Sequence, residues 1–260
     1  MRGRLARSVL WSGKFHHVVY ASAGRDADLL LIFIAGDGTP WTKGGTVVAR
    51  DPTAHRPLAL NLAVRTHFGS VVYLGRPCYL GLARSAECRP EDWTSARYSA
   101  AIVESLLTIA NRLIQEHHAR QVVLVGYSGG GTLAVLMAPH VANLRAVITI
   151  GADLDVAAWT HLHGYLPLSG SLDPAETRAL PPSVMQIHFV GARDTNVPPA
   201  LSARYFARHP RAHLRIIARF DHRCCWVRAW SGLLANALHA ADVTADEFPS
   251  AGGESRRPRP

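Results

Sequence analysis

One pentapeptide in this chain has the residue types and spacing for nucleophilic chemistry: Gly126-Tyr127-Ser128-Gly129-Gly130. An apolar run over residues 121–126 leads into it and reads as a strand; an apolar helical pattern over 129–139 follows. Between two such elements a Gly-x-Ser-x-Gly sequence makes a tight turn. Its glycines let the backbone pass close to its neighbours, and its serine takes a strained conformation that exposes the hydroxyl. The following helix presents backbone N–H groups and the positive end of its dipole to any negative charge that develops there. A serine hydroxyl is a weak nucleophile until a base removes its proton, so Ser128 requires a histidine. Other chemistries fit less well. Gly129–Gly131 lacks the lysine of a phosphate-binding loop, and no dinucleotide fingerprint occurs. Cys224 and Cys225 are adjacent, with no His-x-x-x-His nearby to complete a zinc site. No metal or cofactor is expected.

The elements that would position Ser128 alternate along the chain. Apolar runs over residues 18–21, 29–35, 70–74, 121–126, 146–151, 186–191 and 214–218 read as strands, several of them apolar on both faces, as in a covered parallel sheet. Helical patterns lie between them, the clearest over 95–117, where Ile102, Leu106, Ile109, Leu113 and Ile114 recur at helical spacing. Others cover 129–139, 199–207 and 225–240. Strands alternating with helices predict an α/β fold with a mostly parallel central sheet flanked by helices. Residues 36–69 form a long connection rich in turn signals, and residues 154–182 read as a small cap insertion. The domain plan is an N-terminal extension over 1–15, one domain over 16–240 and a disordered tail over 241–260.

With its serine on a strand-to-helix turn, the chain resembles the α/β-hydrolase superfamily over roughly residues 16–240. That resemblance implies an acid and then a histidine later in the chain. Gly191-Ala-Arg-Asp194-Thr-Asn-Val197-Pro198 is similar to the superfamily's acid turn, and Phe220-Asp221-His222 follows the last strand. The implied roles are Ser128 as nucleophile, His222 as general base and acid, and Asp194 as the carboxylate that orients the imidazole. Asp153 and Asp155 are rival acids after the preceding strand; Asp221 adjoins His222, and neighbouring side chains diverge. For the oxyanion, the implied backbone donors are the N–H groups of Gly129 and Asp37, with Gly38 as the alternative to Asp37; Ala35 stands where many relatives have histidine. A narrower group of bacterial α/β-hydrolase-like proteins, many secreted or lipid-anchored, is resembled through Gly36-Asp37-Gly38 with Trp41, Arg76-Pro77-Cys78, Trp93-Thr-Ser-Ala-Arg97, Gly126–Gly131 and Gly170-Ser-Leu-Asp-Pro174. The reading is a serine hydrolase that cleaves carboxylic esters or related acyl compounds through an acyl-enzyme on Ser128. The alternatives are an acyltransferase using the same triad and a non-catalytic binding protein on the same scaffold.

Composition bounds the partners. The chain has 260 residues, 48% of them hydrophobic and 18% charged, which suits a globular domain able to bury its own core. Its formal charge is +9, carried almost wholly by arginine because Lys14 and Lys43 are the only lysines. The arginines are scattered except at the two ends, so a small-molecule acyl substrate and no nucleic acid is expected. No run reaches the ~18 apolar residues of a membrane span. The basic start is followed by too short an apolar stretch, 8–11, for an export signal, which predicts a cytoplasmic location as the chain is written, with the periplasm or secretion as the alternative. The cysteines pull the other way. Four allow three pairings; Cys78 and Cys88 bracket a polar loop that closes easily, whereas Cys224 and Cys225 could pair only in a strained ring. A persistent Cys78–Cys88 bridge would require an oxidising compartment.

Overall fold

The computed structural model of the chain describes residues 5–23 and 28–243. In chain order its elements are β1 (Ala6–Trp11), β2 (His16–Ala21), β3 (Leu29–Ile34), β4 (Trp41–Thr42), β5 (Val47–Val48), α1 (Leu58–Val64), β6 (Ser70–Leu74), α2 (Ala100–Glu116), β7 (Gln121–Tyr127), α3 (Gly129–Met137), β8 (Leu144–Ile150), α4 (Val156–Leu162), β9 (Met185–Gly191), α5 (Ala203–Arg208), β10 (Ala212–Ile217) and α6 (Trp226–Ala240). Eight strands form one sheet in the order β1-β2-β6-β3-β7-β8-β9-β10, and β4 and β5 make a separate hairpin. The pairings from β6 through β10 are parallel; β1 with β2, and β2 with β6, are antiparallel. The fold class is therefore the α/β architecture expected, a mostly parallel sheet covered by helices.

Strand β3 shows why the central runs are apolar throughout. Leu30, Ile32 and Ile34 point into one core with α2 and α3, while Leu29, Leu31 and Phe33 point into a second core with α1 and α6. Each fully buried side chain of this kind contributes about 1.5–3 kcal/mol, so a strand buried on both faces cannot alternate with polar residues. On the second face the Phe33 and Trp230 rings meet edge to face at 5.9 Å, and the Trp230 indole N–H donates to Thr66 Oγ1 at 2.9 Å.

The structure departs from the sequence reading where burial is partial. Residues 6–11, expected within the N-terminal extension, are the edge strand β1; five of the six are exposed, so no apolar pattern marks them. Helix α1 lies inside the long 36–69 connection. Helix α2 starts at Ala100, not near 95, because the Ser99 hydroxyl caps it by accepting from the Ile102 N–H. The expected helix over 199–207 is a 3-10 turn, Pro199–Ser202, running into the short α5. From residue 244 the expected disordered tail lies outside the described residues, whereas Ala241 and Val243 are buried in the second core. Cys78 and Cys88 are bridged with their Cα atoms 5.6 Å apart, and Cys224 is joined to Cys225. No helix among the described residues is long and apolar enough to cross a membrane.

Candidate active site

Strands β3, β7, β9 and β10 deliver the chemistry-bearing residues to the carboxyl edge of the sheet. Ser128 follows β7 directly, with φ 51° and ψ −129°, a left-handed conformation that is costly for a side chain other than glycine. Its N–H donates to the Ile150 carbonyl at 2.9 Å, which pins the turn to β8. Helix α3 begins at the next residue and comes so close to β3 that a Cβ on Gly130 would overlap the Ile34 carbonyl. The glycines of the motif thus serve close approach, and the serine carries the strain.

Asp194 and His222 come from the turns after β9 and β10. The Asp194 carboxylate is fully buried. Its Oδ1 accepts from the backbone N–H groups of Asn196, at 2.9 Å, and Val197, at 2.8 Å. Its Oδ2 lies 2.8 Å from His222 Nδ1. With the Nδ1 proton held toward that carboxylate, Nε2 is left as the acceptor, and Ser128 Oγ stands 3.1 Å from it. The Asn196 amide also reaches Nε2, at 3.2 Å, and the Tyr127 ring lies 5.2 Å from the imidazole. The rival acids go elsewhere. Asp155 pairs with Arg204 and caps α4 through the Ala158 N–H. Asp221 Oδ1 accepts the Arg223 and Cys224 N–H groups at 2.7 Å each. Among the described residues the buried Asp153 carboxyl oxygens have no hydrogen-bond partner; burial and the nearby Asp37 and Asp173 carboxylates raise its pKa well above the ordinary carboxylate range.

Gly36 and Asp37 complete the site from the end of β3. Gly36 packs on the Tyr127 carbonyl and on Ser128 Cβ, so an added Cβ would stand 3.0 Å from the former. Among the described residues the backbone N–H groups of Asp37 and Gly129 donate no hydrogen bond, which leaves two donors unspent beside the serine. The Asp37 carboxylate is turned inward onto Arg76, Arg97 and Tyr98. The serine opens into a cleft of about 1670 Å³ between the β4–β5 hairpin and the insertion that follows α4. Trp41, Tyr165 and Leu166 form an apolar rim, Leu166 being 86% exposed.

Three features went unread in the sequence. Gly151, at φ +54°, borders the acid–histidine pair so closely that a Cβ there would sit 3.1 Å from His222 Nδ1 and 3.2 Å from Asp194 Oδ2. Asn196 lies inside the acid turn already noted. Arg76 and Arg97 belong to motifs matched by resemblance alone, and Tyr98 directly follows the second; a buried charge was the missing signal. His17 and His117 are buried. His17 pairs with Ser105 of α2 in the core, its Nδ1 3.0 Å from the Gly75 carbonyl.

No family model matches the chain, and no curated protein matches it. Solved structures do. A proline iminopeptidase-related protein of Thermus thermophilus is 15% identical, with TM-score 0.62 over 92% of this chain and 98% of its own. An esterase of Pyrococcus furiosus is 10% identical, with TM-score 0.61 over 92% and 91%. An α/β serine hydrolase without a lid from Xanthomonas campestris is 15% identical, with TM-score 0.56 over 91% and 94%. At these identities the likeness is one of fold.

Proposed function

We propose that this chain, built on the fold of the α/β hydrolases, is a serine hydrolase that cleaves carboxylic esters or related acyl compounds. The observation that carries this reading is the continuous chain Ser128 Oγ–His222 Nε2 at 3.1 Å and His222 Nδ1–Asp194 Oδ2 at 2.8 Å, at the floor of an open cleft. In the first half-reaction His222 Nε2 takes the Ser128 proton as Oγ bonds to the acyl carbon. The imidazolium then gives that proton to the departing alkoxide, so the alcohol leaves and the acyl-enzyme remains. Water enters by the same route: Nε2 takes its proton, the hydroxide oxygen bonds to the acyl carbon, and the Ser128 oxygen leaves with the proton returned. Asp194 stays ionised throughout; it fixes the tautomer and stabilises the imidazolium. The unspent N–H groups of Gly129 and Asp37 are the donors for the oxyanion of each tetrahedral intermediate.

A fluorophosphonate probe tests the reading directly. Covalent labelling of the native chain on Ser128, lost in Ser128→Ala and in heat-unfolded protein, supports it. A folded native chain that resists the probe and releases no alcohol from a panel of short and long acyl esters overturns it.

A further inference from the structure

Arg76 and Arg97, from two of the unassigned motifs, converge with Tyr98 on one carboxylate, that of Asp37. Tyr98 Oη donates to Asp37 Oδ2 at 2.6 Å and Arg97 Nη1 to the same oxygen at 3.2 Å, while Arg76 Nη1 donates to Oδ1. The clamp is itself held. Arg76 Nη2 donates to the Arg97 carbonyl and Arg97 Nε to the Thr94 carbonyl, both at 2.7 Å, and the Arg76 guanidinium lies 5.0 and 5.6 Å from the Tyr79 and Tyr98 rings. The Tyr98 backbone is tied to the insertion by its N–H to Ser171 Oγ at 3.1 Å and by its carbonyl, which accepts the Leu172 N–H at 3.0 Å. Asp37 is gripped at a second point, since its backbone carbonyl accepts from Tyr79 Oη at 3.0 Å. The carboxylate also lies directly against the start of α3: a Cβ on Gly129 would overlap both Asp37 Oδ1 and Tyr98 Oη.

We infer that Asp37 is a positioning residue, whose clamped carboxylate holds its own N–H and the Gly129 turn together as the two oxyanion donors. This rests on the serine-hydrolase reading of the site and adds to it what fixes the donors. Two physical reasons favour that role over plain stability. Burying ion pairs is on balance no more stabilising than burying apolar residues of the same volume, so two buried guanidiniums closed on one half-buried carboxylate need another justification. A lone carboxylate packed on Gly129 would oppose the negative charge that develops on the substrate oxygen. With Arg76 and Arg97 both present that opposition is neutralised, so the carboxylate can hold the backbone beside the oxyanion, and the loss expected in Asp37→Asn comes from the freed backbone and not from the field. Burial alone would push the Asp37 carboxyl up, but the two arginines and the Tyr98 hydroxyl outweigh it and hold the group below the ordinary carboxylate range.

The test uses the full chain, a 4-nitrophenyl ester and a trifluoromethyl ketone that becomes a tetrahedral anion on Ser128. Asp37→Asn removes the charge and keeps the backbone N–H; Tyr98→Phe removes one donor to the carboxylate and keeps the ring. The expected result for Asp37→Asn is a loss of about 10²–10³-fold in kcat with KM within about 2-fold. Ketone affinity should fall in parallel, and the downfield His222 Nδ1 proton resonance should be unchanged. Tyr98→Phe should lose about 10-fold by the same measures. Folded variants with kcat and ketone affinity within about 3-fold of wild type overturn the inference. So does a rise in KM alone, or a loss of kcat together with the His222 resonance, either of which marks a general structural role. If Asp37→Asn does not fold, Tyr98→Phe decides. Failure of the wild-type chain to label with a fluorophosphonate would defeat the serine-hydrolase reading itself; a labelled wild type with indifferent variants would defeat only the role of Asp37.

Discussion

Two serine–histidine pairs occupy this molecule, and they differ in every respect that matters for chemistry. In both, a serine hydroxyl meets a histidine Nε2 while Nδ1 faces an oxygen acceptor: Ser128 with His222 and Asp194 at the cleft, Ser105 with His17 and the Gly75 carbonyl in the core. The core pair ends on a neutral carbonyl, and burial drives the His17 pKa down to about 4, so its imidazolium is disfavoured where a general base would need it. The cleft pair ends on a carboxylate that can stabilise the imidazolium. Ser105 sits inside α2, surrounded by relaxed helical backbone, whereas Ser128 sits at a strained turn beside two unspent N–H donors. A hydrogen-bonded Ser–His contact is therefore not a nucleophile; the charge behind the histidine, the donors beside the serine and the access in front of it make the difference.

The most direct way to break the comparison is to delete each serine in turn. Ser128→Ala should lose at least about 10⁴-fold in kcat/KM toward acyl esters with little change in stability, because such residues act as a unit. Ser105→Ala should keep kcat/KM within about 3-fold and lose about 1–3 kcal/mol in urea unfolding, since His17 Nε2 is left buried without its donor. Equal losses of activity from both would abolish the distinction.

Asp194→Asn sharpens it by giving His222 the kind of neutral acceptor that His17 has. It should cost on the order of 10⁴-fold in kcat, as the corresponding change does in serine proteases, while Asp153→Asn stays near wild type. A nearly dead Asp153→Asn beside an active Asp194→Asn would move the acid to the earlier strand. Gly151→Ala should cost about 10–100-fold in kcat, with about 1 kcal/mol of stability, because a Cβ there intrudes on the His222–Asp194 contact and must accept a positive φ. Wild-type kinetics in that variant would show that the pair tolerates displacement.

The smallest effect belongs to pH. The folded-state pKa of His17 lies below its unfolded value, so the unfolded chain takes up a proton first as pH falls. Its contribution is fully present above about pH 6.5 and is lost on acidification down to about pH 4; between pH 7 and pH 5 the loss is about 2 kcal/mol. Buried His188, lowered to about 3, adds to the same trend. Urea unfolding of wild type and His17→Gln over that range measures it: the variant should show the shallower slope, and identical slopes would remove His17 as the cause.

What was legible in the sequence was what local chemistry dictates. Ser128 and Asp194 follow the apolar runs β7 and β9, buried in the covered part of the sheet and unmistakable, whereas His222 follows the exposed edge strand β10, legible only through its Leu214, Ile216 and Ile217. The edge strand β1 was illegible because it buries almost nothing. The Asp37 clamp was illegible for a different reason: Asp37, Arg76 and Arg97 are polar residues in loops, and only the fold shows that two buried guanidiniums close on the half-buried Asp37 carboxylate. The burial of His17 was illegible because it depends on α2 crossing that strand's face. Gly151 carries no motif, and only the approach of two later turns makes its missing side chain necessary.

The strand order has a consequence for how the chain is made. β3 is an unbroken Leu-Leu-Leu-Ile-Phe-Ile segment whose two sheet neighbours, β6 and β7, both come later, the second about 90 residues downstream. At ribosomal speeds of about 5–20 residues per second, this segment waits roughly 5–20 seconds after synthesis for its full set of neighbours. The last neighbour to arrive, β7, is also the strand that carries Ser128. The nascent chain thus passes this exposed interval before Ser128 is made, and one pairing event ends that exposure and seats the Ser128 turn.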